Sequence, residues 1–171
     1  MAILLCGLVA LPACFSSHGP FQSKRDSLYQ KKLQRVLIAF LHQDATRVLG
    51  NEFSSRFVNR LSEQLSRRNV QSRQVRLEKE GVDRDAKIQA AATEFHPTQL
   101  LYFGVTRASH IESRTSDRVE RENSLVFEFS LVDFQNGKTV WRGDLTYSLS
   151  PPGPGEVADA LIKKLAADRL L

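Results

Sequence analysis

Two stretches of alternating side chains set around an Asn-Gly pair constrain this chain more than any other feature. Leu125, Phe127, Phe129 and Leu131 alternate along the first, and Trp141, Leu145, Tyr147 and Leu149 along the second, with Asn136-Gly137 between them. A period of two marks strands with one buried face, and Asn-Gly between such runs marks a hairpin. A two-residue turn would pair Gln135 with Lys138, setting Leu131 opposite Arg142 and Phe127 opposite Thr146, apolar against polar. A three-residue loop, Gln135-Asn136-Gly137, with Gly137 left-handed in a G1 bulge, pairs Phe134 with Lys138 instead. Leu131 then faces Trp141, Phe129 faces Gly143, Phe127 faces Leu145 and Leu125 faces Tyr147. A slip of one residue turns a strand's whole apolar set to the wrong side, so side-chain phase selects the three-residue loop.

The remaining elements arrange around this hairpin. Val36-Leu37-Ile38-Ala39-Phe40-Leu41 is a continuous apolar run between Arg35 and His42, the pattern of a strand covered on both faces. Phe53, Phe57, Leu61 and Leu65 recur every four residues with Val58 beside them, predicting an amphipathic helix over 51–68. Arg67 and Arg68 suit its negative end, and Asn69 suits a left-handed position just past it. Residues 70–77, rich in Arg and Gln with few apolar positions, read as an edge strand guarded by charge. Asp83 or Asp85 can cap a second helix with Ile88, Ala91, Ala92 and Phe95 on one side, ended by His96-Pro97. Residues 100–106 form another strand. Residues 107–122 hold four arginines and four acids and read as a solvated hairpin end. After the break at Pro151, Pro152, Gly153, Pro154 and Gly155, residues 156–170 predict a final helix with Val157, Leu161, Ile162 and Leu165 inward. The order βαβαβββα predicts an α+β fold, a two-layer sandwich of one mixed, mainly antiparallel sheet with helices packed against it.

At 171 residues, with 42% apolar and 25% charged residues, there is room for one domain with a core and none for a second catalytic domain. The long apolar run lies over residues 1–13, shorter than the ~20 residues a spanning helix needs. It has the length of a signal-peptide apolar region and closes on Leu11-Pro12-Ala13-Cys14. The expected layout is therefore a signal peptide over 1–13, a tether over 14–34 and a single domain over 35–171. Lys24, Arg25, Lys31 and Lys32 in that tether could touch anionic headgroups at about 1 kcal/mol each, or only keep a linker solvated.

Leu11-Pro12-Ala13-Cys14 resembles the lipobox of bacterial lipoproteins. That resemblance implies cleavage between Ala13 and Cys14 and acylation of Cys14, which becomes the membrane anchor. Several acyl chains, at about 0.8 kcal/mol per buried CH₂, hold a domain firmly on a bilayer. Cys6 leaves with the signal peptide, so the mature domain is expected to have no free thiol, no disulfide and no thiolate metal site. Phe15 rather than Asp after the cysteine implies, by the sorting rule of enterobacterial lipoproteins, the outer membrane with the domain on its periplasmic face. The run Phe127-Glu128-Phe129-Ser130-Leu131-Val132-Asp133-Phe134-Gln135-Asn136-Gly137-Lys138-Thr139-Val140-Trp141 resembles small envelope lipoproteins: the activators of penicillin-binding proteins and the curli-secretion and TolB-amino-terminal-like domains. The layout is similar, more distantly, to the lipoprotein of the lipopolysaccharide-assembly complex. Both resemblances imply a non-enzymatic accessory or assembly subunit of a larger envelope complex. The alternative is a binder of lipopolysaccharide or another envelope glycolipid; a cytoplasmic nucleic-acid-binding module comes third.

Catalytic motifs are missing from the sequence. His18, His42, His96 and His110 have no two-histidine metal spacing, and no nucleophile elbow, Walker or dinucleotide glycine motif is present. His42 and Asp44, just past the apolar strand, are the position where an α/β site would form. No enzyme activity, metal or cofactor is expected. Lys+Arg number 24 against 19 Asp+Glu, and Arg56, Arg60, Arg67, Arg68, Arg73 and Arg76 form a cluster in the sequence. These arginines form either a solvated helix face or a surface for an anionic partner such as lipopolysaccharide phosphates, peptidoglycan carboxylates or an acidic protein. If the signal segment operates, nucleic acid in the cytoplasm is not that partner.

Overall fold

A computed structural model of the chain describes residues 21–42, 51–78, 83–115, 118–148 and 153–171. Its elements are β1 (Gln22–Arg25), β2 (Arg35–His42), α1 (Asn51–Ser66), β3 (Gln71–Glu78), α2 (Arg84–Phe95), β4 (Gln99–Thr115), β5 (Arg118–Asp133), β6 (Thr139–Ser148) and α3 (Pro154–Ala167). The six strands form one mixed sheet in the order β1-β6-β5-β4-β2-β3. β2 runs parallel to β3 and β4, and the other pairs are antiparallel. This is the expected α+β fold on one mixed sheet, with one strand added in front of the expected order, but it is not two-layered: α2 packs on the face opposite α1 and α3, because β2 presents apolar side chains to both sides.

Alternation along β2 explains its continuous apolar run. Val36, Ile38 and Phe40 enter one core, where α1 contributes Phe53, Phe57, Val58, Leu61 and Leu65, and α3 contributes Val157, Ala158, Leu161, Ile162 and Leu165. Leu37 and Ala39 enter a second, smaller core under α2, with Leu77, Leu100, Ile88 and Ala92. Ala91 and Phe95 of α2 are only partly buried there. The helix ends at Phe95, as the following His96-Pro97 requires, with His96 left-handed at φ 50° and its N–H bonded to Ala92 at 2.7 Å. Asp83 stands before the first helical residue but makes no side-chain cap bond. Asn69 is left-handed at φ 59° after α1. α2 covers only one end of its side of the sheet. On the same side, Gln22, Lys24, Glu128, Arg142 and Asp144 of β1, β5 and β6 are exposed.

Residues 22–34 do not behave as a tether. β1 pairs with β6, from Gln22 opposite Asp144 to Arg25 opposite Trp141. Tyr29 and Leu33 are buried, and the Leu33 N–H bonds to Leu170 O at 2.8 Å. The inward positions of β1 are Ser23 and Arg25, which bond to Asp168. A strand that packs through polar contacts shows no apolar period. The stretch expected as a solvated hairpin end is paired strand backbone, with Glu112 opposite Arg121 and Thr115 opposite Arg118.

The β5–β6 register is as expected at every apolar pair: Leu131 with Trp141, Phe129 with Gly143, Phe127 with Leu145 and Leu125 with Tyr147. The turn that sets it differs. Asp133, not Phe134, closes on Lys138, its N–H bonding to Lys138 O at 2.9 Å, while the Phe134 N–H bonds to Thr98 O at 3.0 Å. The loop is thus one residue longer, and the register shifts back between Leu131 and Val132, which pairs with Thr139. Val140, the extra residue, is buried beside Trp141, so the bulge restores the phase that the longer loop would have inverted. Gly137 keeps its expected left-handed conformation at φ 68°, with open space where a Cβ would stand. Gly137→Ala is expected to cost about 1 kcal/mol through backbone conformation alone, read as a lower denaturation midpoint at unchanged slope.

Candidate functional site

The six arginines do not form one surface. Arg56 pairs with Glu52 at 2.7 Å along α1. Arg60 bridges Glu63 at 3.1 Å and Asp159 of α3 at 3.3 Å. Arg67 also pairs with Glu63, and Arg68 donates to the Gln64 carbonyl at 3.0 Å. Arg73 on β3 pairs with Glu94 of α2, on the opposite side of the sheet from α1. Arg76 stands on β3 in register with Phe40 and also has a partner. Glu52, Glu63, Glu94 and Asp159 are interleaved with the cations, so this is a mixed-sign surface. Exposed pairs of this kind contribute about 0–1 kcal/mol each.

A cleft of about 320 Å³ opens where β2 and β4 begin and β5 ends, lined in part by Lys31, Gln99, Asp133 and Phe134. Gln99 and Asp133 are both 1% exposed. Burial pushes the Asp133 carboxyl up, but bonds from Lys31 Nζ at 2.9 Å and the Gln135 N–H at 3.0 Å outweigh it and hold the group below the usual carboxylate range. The Gln99 amide donates to the Tyr29 hydroxyl at 3.0 Å and to Lys32 O at 3.3 Å, and its carbonyl accepts from Thr98. Burial pushes the Tyr29 phenol up. These polar groups answer one another, and a carboxylate held ionised is no proton donor at neutral pH. The cluster fixes the loops around the hairpin tip.

A second cluster ties β1 and β6 to the residue that follows α3. Asp168 Oδ2 accepts from the Ser23 hydroxyl at 2.6 Å and from Trp141 Nε1–H at 2.7 Å, and Lys164 Nζ lies 3.5 Å from Oδ1. The Arg25 guanidinium donates to the carbonyls of Asp168 and Tyr29. Trp141, 1% exposed, is a core residue, as its cross-strand partner Leu131 implies. The clue to Asp168 was the indole itself, because a buried Trp N–H needs an acceptor.

Outside this cluster, a groove of about 490 Å³ runs between β1 and β6, lined in part by Lys24, Asp26, Ser27, Thr139 and Arg142. Lys24 and Arg142 are register partners on adjacent antiparallel strands. Leu28, on the turn after β1, is 87% exposed, and its N–H bonds to Asp26 Oδ1 at 2.9 Å. Sequence reasoning missed this juxtaposition because it depends on β1.

Ala13, Cys14, His18 and Asp44 lie outside the described residues, and His42 and His110 are placed by backbone alone. His96 is exposed at the end of α2. Among the described residues no group of three or more His, Cys, Asp or Glu is arranged to hold a metal ion, and no helix is long and apolar enough to cross a membrane.

The fold and these surfaces define a small α+β domain built on one mixed sheet, with polar clusters that brace it. Compared with known proteins, the chain is similar in structure to PelC from Paraburkholderia phytofirmans, solved as a dodecamer: 17% identity, 85% of this chain and 93% of that one covered, TM-score 0.50. A lipoprotein from Neisseria meningitidis aligns at 18% identity over 78% of this chain and 99% of that one, TM-score 0.43. A minor lipoprotein from Acinetobacter baumannii aligns at 13% over 78% and 94%, TM-score 0.39. At this identity the PelC likeness concerns the fold alone. No protein-family model and no curated protein matches the chain.

Proposed function

We propose that this chain is a lipid-anchored accessory or assembly subunit of a bacterial cell-envelope complex, non-catalytic, held on the outer membrane through Cys14 with its domain in the periplasm. The observation that carries this reading is Leu11-Pro12-Ala13-Cys14, closing an apolar run and standing just ahead of Phe21, which already packs against the domain core. The PelC-like fold supports it, since PelC is itself an assembly of many copies. The resemblance of the β5–β6 hairpin to the activators of penicillin-binding proteins supports the same role. The chemistry of the two polar clusters supports binding over turnover, because their carboxylates are engaged by partners within the chain.

Intact mass and detergent partitioning test the reading. Protein made in a bacterial host is expected to begin at Cys14, carry the mass of its acyl chains and enter the detergent phase, and Cys14→Ser is expected to lose the acyl mass entirely. An unmodified chain that keeps Met1 and stays in the aqueous phase would overturn the proposal.

A further inference from the structure

We propose that the groove between β1 and β6, with Leu28 on the adjoining turn, is the face on which the domain rests against the anionic surface of its own membrane. Lys24 and Arg142 meet lipid phosphates there, and Leu28 enters the headgroup region. The geometry rests on the anchor at Cys14 proposed above; the chemistry rests on the chain's own residues.

Charge is the first reason. Lys24 and Arg142 face each other across an antiparallel pair, where like charges destabilise unless an anion lies between them. Both are exposed, and neither makes an ion pair with a described residue, in contrast to Arg56, Arg60, Arg67 and Arg73, each matched to a carboxylate. An ammonium beside a guanidinium fork suits phosphate oxygens. Asp26 also lines the groove, its carboxylate engaged by the Leu28 N–H, and the acids next along the same face are Asp144, opposite Gln22, and Glu128, opposite Asp144, which has a partner of its own.

Leu28 is the second reason. A leucine at 87% exposure, on the turn after β1 that Asp26 fixes, is a large apolar tip that follows directly on Ser27 of the groove lining. Cations flanking an exposed apolar side chain form the pattern of interfacial membrane contact, in which phosphates are met by charge and the apolar tip enters the boundary. Reach is the third. Cys14 precedes Phe21 by a stretch that extends at most about 25 Å at ~3.6 Å per residue, so the anchored domain cannot leave the vicinity of the headgroups. β1 is the first element after that stretch.

The test uses protein isolated with its anchor, carrying Ser27→Cys labelled with an environment-sensitive fluorophore, in vesicles of phosphatidylethanolamine with phosphatidylglycerol. The label is expected to be shielded from a water-soluble quencher on these vesicles and open to it in detergent. Lys24→Glu with Arg142→Glu is expected to lower the ratio of shielded to open label about tenfold or more. Leu28→Asp is expected to act in the same direction, while a label at Arg68→Cys stays open throughout. Equal quenching on vesicles and in detergent would overturn the proposal, as would shielding that both sets of variants leave unchanged. Equal shielding on phosphatidylcholine would remove an anionic surface as the occupant. Intact mass of the same sample separates the two readings: an acylated Cys14 with an open label keeps the anchor and fails the face, whereas an unacylated chain shielded on anionic vesicles keeps the face and fails the anchor.

Discussion

Phe57→Ala is expected to lower the free energy of unfolding by about 3–5 kcal/mol, seen as an earlier chemical-denaturation midpoint with little change in slope. Phe57 is fully buried on the inward side of α1. Its ring centroid lies 4.3 Å from that of Phe103 on β4 and 6.3 Å from that of Phe129 on β5. Phe103 in turn lies 5.6 Å from Phe129 and 6.0 Å from Phe127, and Phe127 lies 5.7 Å from Phe53. Phe57, with Phe53 one turn before it, therefore couples the helix to a ring cluster spanning two strands. Neighbouring rings locked against one another cannot collapse into the space it leaves, so the cavity term adds to the lost burial. Phe57→Leu, which keeps most of the volume, is expected to cost less than half as much. A loss below about 1 kcal/mol for Phe57→Ala would mean that α1 is not seated on the sheet through this ring.

What could be read from the sequence follows the reach of each interaction along the chain. Phe57 announced itself through a four-residue period, and the β5–β6 pairing through a two-residue one, because each pattern is written within a single element. The hairpin also shows the limit of such reading. Register came out right because phase fixes it, while the local route, with Asp133 closing on Lys138 and Val140 bulged, was set by the bonds that Asp133 and Phe134 make to Gln135 and Thr98. β1 was invisible for a related reason. Its inward Ser23 and Arg25 find their partner at Asp168, 145 and 143 residues away. The six arginines were identifiable as a set but not as a surface, since the acids that pair with Arg60 and Arg73 arrive from α3 and α2. The groove holding Lys24 and Arg142 exists only once β1 is in place.

Asp168→Ala is expected to destabilise the domain by about 2–4 kcal/mol, because a bond to a charged acceptor contributes about 1.5–3 kcal/mol and a buried donor left alone costs about 1–3. The orphaned donor would be Trp141 Nε1–H, on a side chain 1% exposed. The Ser23 hydroxyl, which holds β1 to the C-terminal end of α3, loses the same acceptor. Asp168→Asn keeps the shape and one acceptor oxygen, so its loss is expected to be smaller; its use lies in the pH dependence. Burial pushes the Asp168 carboxyl up, but the bonds from Ser23, Trp141 and Lys164 outweigh it, and the group lies below the ordinary value of 3.8 that it has in the unfolded chain. A carboxyl with its pKa lowered by folding contributes stability that is complete above the unfolded value and is lost as pH falls through the folded one. Stability of the unsubstituted protein is therefore expected to fall as the pH drops below the unfolded value of 3.8, and that of Asp168→Asn to fall less over the same acid range. Asp133, shifted in the same direction by Lys31 and the hairpin N–H groups, keeps some acid sensitivity in the variant. Denaturation midpoints at neutral pH and across the acid range decide the matter. If Asp168→Asn and the unsubstituted protein lose the same increment in acid, the carboxylate is not held ionised by these partners, and the clamp between β1, β6 and α3 rests on packing alone.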